Sequence, residues 1–140
     1  MKSFTLTAIR ICCLAVLYIG CSKNHPVTNR LPEELPGNSW IVSHFSEQGK
    51  DGTDAFNGYF FAFKQNGQLF VTKAGNSLEA SWVLQENSNR FIINLGPNDL
   101  TNKPLGLLTK YWVLVDHNAG KLRLKDGDTA GNGTLEFSRQ

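Results

Sequence analysis

The most regular feature of the chain is a series of short segments in which apolar and polar residues alternate. In residues 121–125, for example, Leu122 and Leu124 alternate with basic residues. Alternation with a period of two is typical of antiparallel strands that have one buried face and one wet face. Eight segments are predicted as strands: 39–47, 59–64, 68–73, 77–85, 90–95, 111–117, 121–125 and 134–138.

The connections between these segments carry residues that favour tight turns. Asn66-Gly67, Gly75-Asn76 and Asn118-Ala119-Gly120 tolerate positive φ between two apolar runs, as hairpins require. One longer insert, 97–110, is expected to hold a short helix near 105–109. Because short connections join neighbouring strands, we predict an all-β fold: a small eight-stranded antiparallel up-and-down barrel, closed or partly open.

The first strand suggests which side chains point into this barrel. If Trp40 points inward, alternate positions on the same strand place Val42 and His44 inward as well. His44 is therefore a candidate to line the interior, although a hydrogen-bonded structural histidine is the more common situation.

Two segments do not alternate. Residues 59–63 and 111–115 are apolar at every position, so both of their faces are apolar. We place Val113 and Val115 on the inner face. The outer faces of both segments then need a cover, which the preceding tether, a partner or the insert 97–110 would supply.

The amino terminus has the features of an export signal. Lys2 and Arg10 precede an unbroken apolar run over residues 11–19, and no acidic residue occurs before Glu33. A helix that spans a bilayer needs ~20 apolar residues, so this run is too short to span and has the length of a signal peptide core.

The residues that follow, Leu17-Tyr18-Ile19-Gly20-Cys21, resemble the lipobox of bacterial lipoproteins, with Tyr18 where leucine is usual. The resemblance implies a signal peptide over 1–20, acylation of Cys21, and a lipidated, proline-containing tether over 21–37 before a domain over 38–140. An ordinary secretory signal with an incidental cysteine is the alternative. Because residues 22–25 hold no acidic run, a periplasm-facing outer-membrane location is favoured over the cell surface.

Charge and cysteine content exclude several classes of function. The chain has 14 Lys and Arg residues against 12 Asp and Glu residues, and loss of Lys2 and Arg10 leaves 12 of each. A neutral domain without a basic cluster lacks the signature of nucleic-acid binding. All three cysteines lie at or before Cys21, so the domain has no disulfide, thiolate metal site or cysteine nucleophile. Acyl chains on Cys21 are then the expected contact with the membrane.

No catalytic or metal-binding pattern emerges. The histidines, His25, His44 and His117, are not at metal-ligand spacing, and Ser43 and His44 point to opposite faces of a strand. Residues 126–131 begin like a calcium loop but lack its later ligands. We therefore expect no catalytic residue, no metal and no cofactor, and do not expect an enzyme.

Several short motifs resemble the lipocalin-like lipoproteins of Bacteroidota envelopes. They are Gly37-Asn38-Ser39-Trp40, Phe61-Ala62-Phe63 with Asn66-Gly67, Ala80-Ser81-Trp82, Leu105 to Trp112, and Leu135-Glu136-Phe137. The resemblance implies a lipocalin-like barrel over most of the domain. In addition, Asp128-Thr129-Ala130 resembles a short O-glycosylation motif of exported Bacteroidota proteins, with Thr129 as the acceptor; a polar hairpin tip is the simpler interpretation.

Two functions remain open at this point. In the first, the barrel interior binds a small apolar ligand, and the candidate ligand-binding residues are Trp40, His44, Tyr59, Phe61, Phe63 and Trp82. In the second, bulky side chains fill the barrel, which then acts as a non-enzymatic interaction or inhibitor module for an envelope protein.

Overall fold

The computed structural model describes residues 31–128 and 131–140. Nine strands occur in this part of the chain, with one helical turn, α1, at Leu31–Glu34, and three single-turn 3₁₀ helices at Thr53–Phe56, Glu86–Ser88 and Leu105–Leu108. The strands are β1 Trp40–Glu47, β2 Lys50–Asp51, β3 Phe60–Phe63, β4 Gln68–Lys73, β5 Asn76–Gln85, β6 Arg90–Asn94, β7 Lys110–Asn118, β8 Lys121–Asp126 and β9 Thr134–Arg139.

All eight predicted strands are present, each within one residue of the predicted bounds at either end. The additional strand, β2, has only two residues and pairs with the end of β1. The short helix expected near 105–109 is also confirmed, as the 3₁₀ turn Leu105–Leu108.

The strands form a closed antiparallel barrel. Consecutive strands from β3 to β9 are neighbours, and pairing between β1 and β9 closes the ring. The two contacts of β1 differ in extent, because it pairs with β9 along its length but with β3 only at Trp40 and Phe61. The seam between β1 and β3 is therefore the place where main-chain pairing is thinnest.

The 3₁₀ turn Thr53–Phe56 covers this seam. The main-chain N–H of Phe45 donates to the Thr53 hydroxyl (2.9 Å), which also lies 3.4 Å from the Phe45 carbonyl oxygen. The ring of Phe56 packs edge-on against that of Phe45, with centroids 5.1 Å apart. The Thr53 side chain thus provides hydrogen bonds to the main chain of β1 that a neighbouring strand would otherwise provide.

The barrel has two different ends. At one, which we call the capped end, lie α1 and the turns 64–67, 86–89 and 119–120. At the other, the loop end, lie the connections 48–59, 74–75, 95–109 and 127–133, of which 129–130 are outside the described residues.

The interior is filled by aromatic and branched side chains. The ring of Phe63 contacts those of Trp82, Phe91 and Phe137, with centroids 5.6 to 5.9 Å apart. Each indole nitrogen donates to a main-chain oxygen: Trp40 to Leu35, Trp82 to Lys64 and Trp112 to Leu108. The polar atom of each tryptophan is thereby satisfied inside an apolar core.

The capped end differs from the extended tether expected for this part of the chain. Residues 31–34 form one helical turn, and Leu31 and Leu35 are completely buried. A helical turn is favoured over an extended segment because it places two leucines, four positions apart, on one face, where they cover the end of the barrel core.

A bulge in β1 overturns the expected orientation of His44. Val42 pairs with Phe137 and His44 with Glu136, and the register shifts between Val42 and His44. Phe45 is buried in its place, and His44 shares the outer face with Glu136. Strict alternation fails here because a bulge inserts one extra residue on one strand.

The expected inner face of β7 is also wrong. Trp112, which pairs with Phe91, is completely buried, whereas Val115 is 52% exposed and Val113 is only partly buried. Residues 111–115 of β7 are apolar on both faces, so their sequence does not indicate which face of the strand points into the barrel. The large indole of Trp112 packs in the interior next to Phe91, and this contact determines which face of β7 points inward.

Candidate ligand-binding site at the loop end of the barrel

The inward-facing positions of β4 and β5 change from apolar to polar as they approach the loop end. On β4 the inward residues are Leu69 and Val71, followed by Lys73 at the rim. On β5, Leu78 pairs with Val71 and Asn76 pairs with Lys73. Polar groups therefore lie at the loop end of the barrel, next to the apolar core.

The two-residue connection between these strands fixes their geometry. Ala74 and Gly75 both have positive φ, 49° and 84°, as the tightest hairpin turns require. Lys73 and Asn76 consequently stand side by side across the last rung of the hairpin. Tyr59, which precedes β3, continues the inward face of Phe61 and lies beside Lys73 on the neighbouring strand.

A groove of about 380 Å³ opens at this rim, within the size range of small-molecule sites. Val71, Leu78 and Leu105 provide its apolar floor and wall, with Leu105 supplied by the 3₁₀ turn of the long insert. The described residues that line it are Tyr59, Val71, Lys73, Ala74, Asn76, Ser77, Leu78 and Leu105.

Lys73 is the charged residue of this groove. Its ammonium nitrogen lies 4.2 Å from the centroid of the Tyr59 ring, a cation–π contact that holds it over the groove. Within residues 31–128 and 131–140, Lys73 forms no ion pair, and the side chains of Tyr59, Asn76 and Ser77 form no hydrogen bond. The groove therefore combines an apolar floor with unoccupied polar groups at its edge.

The residues proposed from the sequence are divided among three places. Trp40, Phe61, Phe63 and Trp82 are at most 5% exposed and belong to the core cluster. His44 is on the outer face. Only Tyr59 lines the groove.

Sequence analysis missed Lys73, Asn76 and Leu105. A signal for the first two was present: both continue the period-two inner face of segments that had been identified as strands. Leu105 gave no such signal. Its position beside the groove depends on the path of the insert 97–110, which no local sequence pattern indicates.

A second depression at the loop end is lined in part by Lys110 and Asp126, but these two side chains are paired with each other. The Lys110 ammonium lies 2.8 Å from Asp126 and 2.9 Å from Glu47. Burial lowers the pKa of Lys110, but hydrogen bonds to Asp126 and Glu47 outweigh it, so the pKa rises. Burial also opposes ionisation of Asp126, yet the hydrogen bond from Lys110 lowers its pKa. This network is a structural clamp between β1, β7 and β8.

Other chemistry in the described part of the chain is limited. No group of three or more His, Asp or Glu side chains among residues 31–128 and 131–140 is placed to hold a metal ion. His117 Nδ1 lies 3.4 Å from Glu34, and its buried Nε2 has no hydrogen-bond partner among these residues. Cys21, His25 and Thr129 lie outside the described residues.

No helix in the described ranges is both long enough and apolar enough to cross a membrane.

Comparisons with known proteins support the fold. No family model matches the sequence, and no curated protein matches it. A DUF4847 family protein from Bacteroides vulgatus ATCC 8482 is similar in structure, with a TM-score of 0.55 and 14% identity over 77% of this chain and 96% of that chain. A lipocalin-like protein from Bacteroides uniformis ATCC 8492 has a TM-score of 0.54 and 17% identity over 76% and 99% of the two chains.

A third similar structure is that of an uncharacterized protein from Bacteroides eggerthii DSM 20697, with a TM-score of 0.52 and 14% identity over 74% of this chain and 98% of that chain. At these identities the likeness concerns the fold alone. The barrel, the strand order and these neighbours together establish the fold as lipocalin-like.

Proposed function

We propose that this protein is a lipid-anchored, non-enzymatic binding protein of the bacterial envelope, and that it holds a small ligand with an apolar portion in the groove at the loop end. The observation that carries the proposal is the groove itself, with Val71, Leu78 and Leu105 as its apolar floor and wall. Ligand sites are concave, mostly apolar and supplied with a few polar groups, as this groove is.

The packed interior supports a ligand position in the groove at the loop end rather than inside the barrel. Phe61, Phe63 and Trp82 occupy the space that a ligand deep in a barrel would need. An eight-stranded barrel has an interior that side chains can just fill, so a packed core is consistent with its size.

The proposed anchor is compatible with this arrangement. The described chain begins with Leu31 at the capped end, opposite the groove. Acylation at Cys21 would leave nine residues, 22–30, as a spacer, with a reach of at most roughly 30 Å. A barrel tethered from its capped end leaves the groove at the far end, accessible to the periplasm under the favoured outer-membrane location.

The test uses a mature chain that starts at residue 21 and carries Cys21→Ser, so that it needs no detergent and still contains the whole barrel. Decanol, below its solubility limit, is titrated into ¹⁵N-labelled protein. We expect saturable chemical-shift changes at Val71, Leu78 and Leu105, and loss of affinity in Leu78→Asp. The outward-facing Val83, 51% exposed, provides the matched control Val83→Asp. Failure of decanol to bind, or shifts confined to another surface, would contradict the proposal.

A second function, an interaction module for an envelope protein, is favoured by one feature of the insert. Leu100 is 87% exposed at the tip of a braced loop. Asp99 accepts hydrogen bonds from Thr101 and Asn102, and the Asn102 amide donates to the oxygens of Leu95 and Pro97. Chemical cross-linking in intact cells would support this function if a discrete adduct disappears in Leu100→Ser and persists in Val83→Ser.

A further inference from the structure

We propose that the groove selects amphiphiles with a single anionic head, of which a medium-chain carboxylate is the representative. This inference rests on the proposed function and adds the chemical class of the ligand. Its basis is the juxtaposition of the Lys73 ammonium, which forms no ion pair with a described residue, with the apolar floor formed by Val71, Leu78 and Leu105.

The position of Lys73 is unusual for a surface lysine. It occupies the inward-facing stripe of β4, two residues after the buried Val71, whereas a lysine on the outward stripe would point away from the barrel. The Tyr59 ring limits its freedom by contact with the ammonium at 4.2 Å. The charge is therefore held over the mouth, next to apolar surface.

The other polar groups at the rim supply matching donors. Tyr59, Asn76 and Ser77 also line the groove, and their side chains form no hydrogen bond with a described residue. An ionised carboxylate only accepts hydrogen bonds, and two oxygens give it about four acceptor positions. Lys73 offers three donors and no acceptor, so the head group it favours is an acceptor with negative charge.

The charge balance at the site favours one negative charge. Lys73 is the only Lys, Arg, Asp or Glu residue among those that line the groove in the described part of the chain. A cationic head group would face the ammonium directly and be repelled. A neutral alcohol would bind through the same floor but without the charge-assisted contact.

The experiment compares three probes that share one tail: decanoate, decanol and decyltrimethylammonium, each below its critical micelle concentration. They are titrated calorimetrically into the same Cys21→Ser chain at low ionic strength and at high ionic strength. We expect decanoate to bind about tenfold more tightly than decanol, since one charged hydrogen bond contributes on that order. We expect decyltrimethylammonium to bind most weakly, and the advantage of decanoate to shrink with salt.

Lys73→Met removes the charge and keeps most of the length of the unbranched side chain. It should abolish the preference for decanoate over decanol. Lys64→Met is the matched control, because Lys64 also lies near an aromatic ring, 6.0 Å from the Phe70 centroid, but follows β3 at the capped end. This control should change neither affinity.

The outcomes separate the two proposals. Equal binding of decanoate and decanol to the unmodified protein, or a decanoate preference that survives Lys73→Met, would overturn the anionic-head inference and leave the groove as an apolar site. Absence of binding by all three probes would overturn both.

Discussion

The indole nitrogen of Trp40 donates a hydrogen bond of 3.1 Å to the main-chain oxygen of Leu35, and this contact joins α1 to the first strand of the barrel. Trp40 is 1% exposed, and Leu35 is fully buried. The segment before the barrel is thus part of the folded unit and closes its capped end.

Leu35→Ala should lower the free energy of unfolding by ~2–5 kcal/mol, because it removes a buried side chain whose place cannot be refilled. The measurement is urea denaturation followed by tryptophan fluorescence. Leu100→Ala, at a position that is 87% exposed, should change stability by less than ~0.5 kcal/mol. Equal stability of the two variants would mean that α1 does not pack as described.

Thr53→Val should weaken the seam between β1 and β3. The substitution preserves shape but leaves the Phe45 N–H without its acceptor, which costs ~1–3 kcal/mol. Hydrogen exchange of the Phe45 amide should accelerate accordingly. Thr72→Val, on the outward face of β4 without a side-chain hydrogen bond in the described structure, is the control. Unchanged exchange at Phe45 in Thr53→Val would count against this account of the seam.

Lys110→Met should destabilise the protein by ~1–3 kcal/mol at neutral pH, because the carboxylate of Asp126, only 5% exposed, loses its partner. The control is Lys125→Met, which removes an exposed lysine of β8 that forms no ion pair with a described residue.

The pH dependence of this difference follows from the two pKa shifts. The folded pKa of Asp126 lies below its ordinary value of 3.8, so its contribution is present above that value and is lost as the pH falls through the lower, folded pKa. The folded pKa of Lys110 lies above 10.5, so its contribution is complete below that value and is lost as the pH rises through the higher, folded pKa. The difference in stability between the unmodified protein and Lys110→Met should be constant from about pH 5 to pH 9 and shrink on both sides. A maximum outside this plateau would contradict the assignment.

Tyr59→Ala should weaken decanol binding, whereas His44→Ala should leave it nearly unchanged. Tyr59 lines the groove and contributes apolar surface, so its removal should weaken binding about tenfold or more. His44 pairs with Glu136 on the outer face, and its removal should leave the affinity within about twofold. Calorimetry measures both affinities. The reverse result would indicate that the binding site lies near His44 on β1 and not in the groove.

Cys21→Ser in the full-length chain should abolish labelling by a radioactive fatty acid and leave an uncleaved precursor. Metabolic labelling and the mass of the product measure both effects. A serine variant that is still acylated and processed would contradict the lipoprotein assignment.

Much of the fold was predictable because local rules govern it. The alternation in residues 121–125 and 134–138 and the turn at Gly75 located strands to within one residue, since both signals depend only on neighbouring positions. The candidate site was far less predictable. Aromatic residues such as Phe63 were predicted as ligand contacts, and the structure places them in contact with one another in the core.

The sequence by itself determined that this domain is a thiol-free, antiparallel β fold with alternating inner and outer faces. Tertiary structure alone decided which face of an apolar strand is buried, as Trp112 shows, and where a bulge reverses the alternation, as His44 shows. The physical reason is that the alternation of apolar and polar residues is a property of a single strand. Which face points inward, how the interior is packed and where a groove forms depend instead on side chains from several strands that compete for one interior.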